Sequence, residues 1–554
     1  MNYCKYTIAI ALLVVQLIPF QAYSQEVVTP LDQNTIEMQQ RQLIEQQQRR
    51  IEELKKLPGP IVEDEEGALP TDGRCFEVKE IEITGVSLFK PAEIIAITQP
   101  FINTCVGMPQ INSLLRKLTN LYVAKGYITS RAYVPQQNLS EGKLVIIVVE
   151  GKISAIEPAP DANISECEIA FAMPGITGDV LNLRDLEQGI DQINRLPSNN
   201  AKLQLLPGEE AGASIVQVVN QKSAPWRVSL SKHNHGNDST GKQQWSSQFD
   251  WDNPLNINDQ VRLLAGKDAV SDSLRESRFG YLEYNVPYGK WTSTYSFSYN
   301  DYETFSESND FIFLNSGDNR THKLAVERLV FRDQVSKVHL KSSVSHIRTR
   351  NFIEEILLDI NSHQLTEFQL GLNYGRIVLG GYLNTELNFH RGTRWLGAQN
   401  DKTNDSATPK AQYEMVSATV SAVKPFQLAG QDLSYTALIS GQWSDDVLHS
   451  PVRISVGGQS SVRGFDEQSL SGDSGYYWRN ELAWQVPNVK SLSSNILTGA
   501  SVILAYDVGV IHHGRFNDGQ SGRIAGVALG VRLHGEHINM ELFTSKTLSK
   551  PNHF

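Results

Sequence analysis

The chain lacks any apolar run long enough for a retained membrane helix. The segment from Ile8 to Phe20 is too short, and no later stretch offers about 18 consecutive apolar residues, which excludes a helical membrane protein. A GxxxxGKS/T phosphate loop is absent, so no nucleotide-driven step is expected. Lys and Arg are scattered rather than clustered, and the formal net charge is −11, which together argue against nucleic acid as a partner. No Ser/His/Asp set or paired-carboxylate site stands out, so the chain is not expected to be an enzyme or to hold a cofactor. His233-Asn234-His235 and His512-His513 lack a third ligand at a metal spacing and read as turn or loop histidines. Cysteine is scarce, with only four in 554 residues.

The N-terminus supplies a compartment. Lys5, the apolar run and Ala22-Tyr23-Ser24 read as a secretory signal peptide over residues 1–24, cut after Ser24. Cys4 leaves with it. Of Cys75, Cys105 and Cys167, two are expected to pair in an oxidising compartment; three pairings are open, and Cys75–Cys105 is the expectation because both flank one predicted module. The mean hydropathy of −0.29 looks soluble. A β-barrel with a wet lumen gives the same mean, because lipid-facing apolar and lumen-facing polar residues alternate.

Within residues 25–57, a Gln/Glu/Arg-rich stretch from Asn34 to Leu57 carries Ile36, Leu43, Ile44, Ile51, Leu54 and Leu57 at roughly helical spacing without Gly or Pro. It predicts one helix with Asn34 as N-cap, about 36 Å long, close to the height of a membrane barrel. Pro58-Gly59-Pro60 ends it, and the acidic stretch 58–74 reads as a solvated tether.

Residues 75–150 and 151–224 form an internal repeat. Strand, short helix, amphipathic helix and two strands recur 72 residues on, from Leu114 to Leu186 and from Pro135 to Pro207. Each βααββ unit is a small helix-backed sheet with an edge suited to pairing with an extended peptide. From Trp226 the pattern turns to period two, as in Trp245/Ser247/Phe249/Trp251 and Tyr295/Phe297/Tyr299, with turns at Asp252-Asn253-Pro254, Val286-Pro287-Tyr288-Gly289 and Val486-Pro487. At roughly 20 residues per strand and connection, residues 225–554 give a transmembrane β-barrel of about 16 antiparallel strands. Tyr288, Trp291, Tyr476, Tyr477 and Trp478 fit interfacial girdles. Pro551 leaves the closing strand open, and the last clear alternation is Ile538/Met540/Leu542.

Inside this region a Gly/Ser-rich loop, 457–468, carries Val462-Arg463-Gly464-Phe465, and a strand-like run carries the single acid Asp507. A lone carboxylate on an enclosed face needs a partner, and a guanidinium meets it with two parallel hydrogen bonds.

In this order the chain resembles the outer-membrane transporters of two-partner secretion, the TpsB class of the Omp85 superfamily. The motifs that carry the likeness are the Gln-rich helix, Gly126-Tyr127-Ile128-Thr129-Ser130-Arg131-Ala132-Tyr133-Val134-Pro135, the segment Leu181 to Gly189 around Leu183-Arg184-Asp185-Leu186, Val286-Pro287-Tyr288-Gly289 and Val462-Arg463-Gly464-Phe465. The resemblance implies a plug helix resting in the pore and two periplasmic POTRA domains that receive an unfolded TpsA-class exoprotein. It also implies a 16-stranded outer-membrane barrel and an inward-folded loop that brings Arg463 to Asp507. Implied partners are that exoprotein, outer-membrane lipid and the barrel-assembly machinery, around a monomer. The cargo would be a haemolysin, an adhesin or a contact-dependent inhibition toxin. The alternative is an Omp85-type assembly factor that inserts other barrels.

Overall fold

A computed structural model describes residues 29–59 and 75–552, apart from 235, 237–239, 270–274, 309–310, 402–404, 466–467, 488–496, 515–516 and 518–520. The expected signal peptide and nearly all of the acidic tether lie outside the described residues.

Helix α1 spans Pro30–Lys55. It starts four residues before the expected Asn34, because Thr29 and Asp32 close a capping box and Pro30 sits where a missing N–H costs nothing. Asn34 therefore lies inside the helix.

The first module holds α2 (Pro91–Thr98) and α3 (Met108–Ala124) against a three-stranded sheet in the order Glu80–Thr84, Lys143–Val149, Arg131–Tyr133. Alternation along Lys143–Val149 buries Leu144, Ile146 and Val148, which pack on Ile111, Leu114, Leu118 and Tyr122 of α3. A separate ladder, Phe76–Val78 with Thr104–Val106, lies beside it. Cys75 and Cys105 are bonded across this ladder with their Cα atoms 5.3 Å apart, while Cys167 is free and exposed.

The second module repeats the plan: Lys152–Pro158, α4 (Glu166–Ala172), α5 (Leu183–Ile193), Asn199–Pro207 and Ala213–Lys222. Its core gathers Ile153, Leu181, Leu186, Ile193, Val216 and Val218. The two modules meet where Leu183 N–H donates to the Gly126 carbonyl at 2.8 Å and the Asn182 side chain donates to the Lys125 carbonyl. Gly126 has φ of +94°, and an added Cβ would lie 2.6 Å from Asn182 Oδ1, so this junction requires glycine.

The remaining strands join one antiparallel sheet of 16 strands. Fifteen run as a meander from Trp226–His233 to Asn539–Ser549, and the two-residue strand Ile356–Leu357 pairs off that path. Lengths in the meander range from 8 to 22 residues. The period-two pattern sorts the faces. Leu324, Leu340, Leu370, Leu387, Leu504 and Leu529 are exposed on one, and Asn300, Asn373, Asn384, Glu386, Ser421 and Asp507 are buried on the other. Tyr476 and Trp478 are exposed as a girdle requires, but Tyr477 is 1% exposed: it sits between them on the opposite face and joins the inner cluster. The final strand runs seven residues beyond Leu542, to Ser549, and Pro551 follows it.

Candidate functional site

Helix α1 lies against the inner face of the sheet, touching strands on several sides. Its glutamines explain its composition, because the lumen is polar and buried amides need partners. The Gln47 side-chain oxygen accepts from Asn384 Nδ2 at 2.7 Å and from Ser421 Oγ at 2.8 Å, while its Nε2 donates to Glu386. Gln46 also donates to Glu386, Arg50 pairs with Glu327, and Arg49 faces Glu283 at 3.6 Å. The apolar positions divide by depth. Ile51 and Leu54 are buried with Leu57 against Ile377, Tyr382 and Val423. Ile36 is buried, Ile44 packs on the inward loop, and Leu43 is half-buried.

That loop occupies the lumen from the other side. Val462 and Phe465 are buried with Val456, Leu470, Tyr477, Ile511 and Ile524, and Gln40 of α1 donates to the Ser455 carbonyl at 2.7 Å. Arg463 Nε donates to Asp507 Oδ2 at 2.6 Å and its Nη2 to Oδ1 at 2.8 Å. Its Nη1 reaches Glu481 at 2.6 Å, and its backbone N–H also donates to Asp507. Arg463 is 2% exposed and Asp507 0%, so each charge depends on the other for solvation. Gly464 has φ of +96°, and a Cβ there would meet the backbone of Lys546 at 2.8 Å. Thr547 Oγ1 donates to the Gly464 carbonyl, fastening the loop to the last strand.

The segment Leu183-Arg184-Asp185-Leu186 opens α5, capped by Asn182. Leu186 belongs to the module core, Leu183 holds the first module, and Arg184 pairs with Glu187 at 2.7 Å. Asp185 reaches Lys290 in a barrel turn at 2.7 Å. The same turn explains Val286-Pro287-Tyr288-Gly289: Tyr288 packs edge-on against Phe171 of α4, Gly289 N–H donates to the Phe171 carbonyl, and Gln192 donates to the Gly289 carbonyl.

Several residues of this rim escape sequence reasoning. Arg332, 4% exposed, meets Glu187 and Asp191, and Lys337, 5% exposed, meets Asp191 at 2.8 Å. Arg195 leaves α5 to donate to Asn285 and to the Asn258 carbonyl. Lys56, just past α1, donates to the Asn194 carbonyl, so plug, module and barrel meet within one ring. Only the acidic spacing Asp185, Glu187 and Asp191 signalled this face, and its basic partners lie more than 90 residues away.

The first module carries one tuned carboxylate. Burial opposes the charge of Glu150, yet hydrogen bonds from the Ser87 hydroxyl and amide, the Tyr122 hydroxyl at 2.7 Å and the Leu88 amide outweigh it and hold its pKa below the ordinary glutamate range. Among the described residues, no group of three or more His, Cys, Asp or Glu side chains is placed to hold a metal.

Comparison with known proteins matches this geometry. The family described as haemolysin secretion/activation protein ShlB/FhaC/HecB covers residues 212–533, a ShlB-type POTRA domain 76–151 and a second POTRA domain 152–207. The outer membrane transporter CdiB of Dickeya dadantii (strain 3937) is 31% identical over 525 residues, covering 94% of this chain and 92% of that protein. The hemolysin transporter protein ShlB of Serratia marcescens is 30% identical, covering 92% and 88%. The solved structure of CdiB from Escherichia coli superposes with a TM-score of 0.90 at 30% identity, covering 96% of this chain and 97% of that one. With two POTRA modules, a lumen filled by a polar helix and a barrel sheet matched along their length, the chain belongs to the ShlB/FhaC/HecB family of outer-membrane transporters of two-partner secretion.

Proposed function

We propose that this chain receives an unfolded TpsA-class exoprotein at its periplasmic POTRA pair and passes it through the barrel once helix α1 leaves the lumen. The observation that carries this reading is α1 itself, held by side-chain hydrogen bonds and ion pairs rather than by a continuous apolar seam. Such contacts exchange with water at small net cost, so a filled pore of this kind can empty. The outer strands Arg131–Tyr133 and Asn199–Pro207 offer edges to an extended peptide, with Tyr133, Leu205 and Leu206 exposed beside them. Arg463 and Asp507 act as the lumenal lock that keeps the inward loop seated. A haemolysin or a contact-dependent inhibition toxin is the cargo class, following the relatives' names. The transporter works as a monomer, and the barrel-assembly machinery inserts it.

The decisive experiment compares secretion of the large exoprotein encoded beside this chain in wild type and in a deletion of residues 76–220, with barrel insertion checked by heat-modifiable mobility. Loss of export with an intact barrel is the expected result; normal export overturns the reading.

A further inference from the structure

The outer face of the barrel carries an arrangement of charge that neither the plug nor the export path uses. On the strand Phe311–Arg332, Glu327 faces the helix, so Arg320, His322, Leu324 and Arg328 face outward. On Ser336–Ile353, His339 faces Glu327, so Leu340, Val344, His346 and Arg348 face outward too. Register then sets Arg320 directly opposite Arg348, above His322 opposite His346 and Leu324 opposite Val344.

Two like charges opposite one another on a strand pair repel, and lipid surroundings sharpen the cost. Neighbouring acids do not cancel them. Asp318 is taken by Arg350 at 2.7 Å and lies 3.4 Å from Arg320, and Arg278 is taken by Glu276. Asp301 lies across from Arg278 and Asp318 rather than from Arg348. Among the described residues no carboxylate reaches Arg348, and Arg320 is 47% exposed, stacked 5.7 Å over the Tyr299 ring.

Height decides what can reach them. Trp291 and Arg328 mark the rim that meets the POTRA module. Arg320 stands eight residues further along its strand, which at about 3.3 Å per residue and a tilt near 40° is about 20 Å across the membrane, at the outer headgroup level. Beneath the arginines the outward face is Phe297, Leu324 and Val344, a surface for acyl chains.

We propose that Arg320 and Arg348 together bind a headgroup phosphate of an outer-leaflet glycolipid. Two guanidinium forks side by side match a phosphate's oxygens, and the bound anion removes their mutual repulsion. Apolar surface directly below the charge fits an amphiphile rather than free phosphate. The site rests on the barrel's outer-membrane placement and is independent of the cargo.

The test is thermal unfolding and native mass spectrometry of the full-length protein in detergent, titrated with diphosphoryl lipid A, dephosphorylated lipid A or inorganic phosphate. Wild type should be stabilised by, and retain, the phosphorylated lipid preferentially, and the double variant Arg320→Gln/Arg348→Gln should bind it about tenfold more weakly, as expected for losing one charge-assisted contact. Equal retention by wild type and variant overturns the site. Equal stabilisation by the dephosphorylated lipid shows apolar adhesion only, and equal stabilisation by inorganic phosphate shows an ion site; either overturns the proposal. Should the variant fail to show heat-modifiable folding, the wild-type comparison of the two lipids decides alone.

Discussion

Lys337, one residue into a barrel strand, holds Asp191 of helix α5 at 2.8 Å, and both side chains lie largely out of solvent. Because Arg332 shares the same carboxylate at 2.6 Å, a single acid ties the second POTRA module to the barrel rim. Asp191→Ala leaves two nearly buried cations short of a partner, a loss of about 1–3 kcal/mol at that contact. Hydrogen exchange should then speed up in α5 while the barrel strands stay protected. Unchanged exchange in α5 would show that the apolar contact of Phe171 with Tyr288 suffices to dock the module.

Arg463→Ala should impair secretion more than it lowers barrel abundance, because it strands Asp507 and Glu481 inside the wall. Removing one partner of a buried pair typically costs about 3–5 kcal/mol, enough to unseat the loop without dissolving a sheet of this size. Arg463→Lys keeps the charge but loses the bidentate fork, so its secretion should fall between the two. A silent Asp507→Ala, together with no rescue by Arg463→Asp/Asp507→Arg, would remove the pair from the mechanism.

Leu54 packs against Gly375, where a Cβ would lie 2.9 Å from the leucine side chain. In a Cys167→Ser background, Leu54→Cys with Gly375→Cys should therefore form a disulfide that pins α1 in the lumen. Export should stop under oxidising conditions and return with reductant. Undiminished export by the verified cross-linked protein would mean that cargo passes without the helix leaving.

Glu150 predicts an acid-sensitive contact in the first module. Its folded pKa is depressed, so the stabilisation is full above the ordinary value of 4.5 and is lost as pH falls through the lower folded value. Exchange protection at the Ser87 and Leu88 amides should weaken below about pH 4, and Glu150→Gln should flatten that dependence. A wild-type profile identical to that of the variant would assign the acid response elsewhere.

Periodicity in the sequence was enough to read a polar-lined helix, a repeated module and a long run of alternating strands, since each of these is written in spacings shorter than one element. The same local reading singles out Arg463 and Asp507, because an arginine in a glycine-rich loop and a solitary acid in an apolar strand are each anomalous where they stand. It misplaced the start of α1, since Thr29 and Asp32 make a stronger cap than Asn34, and it put Tyr477 in the girdle although its neighbours alternate away from it. Tertiary structure alone decided which barrel residues receive Gln47, which cations meet Asp191, and that Arg320 stands opposite Arg348. Those relationships depend on strand register and on what fills the lumen, and register is set by pairing between segments whose sequences carry no local mark of each other.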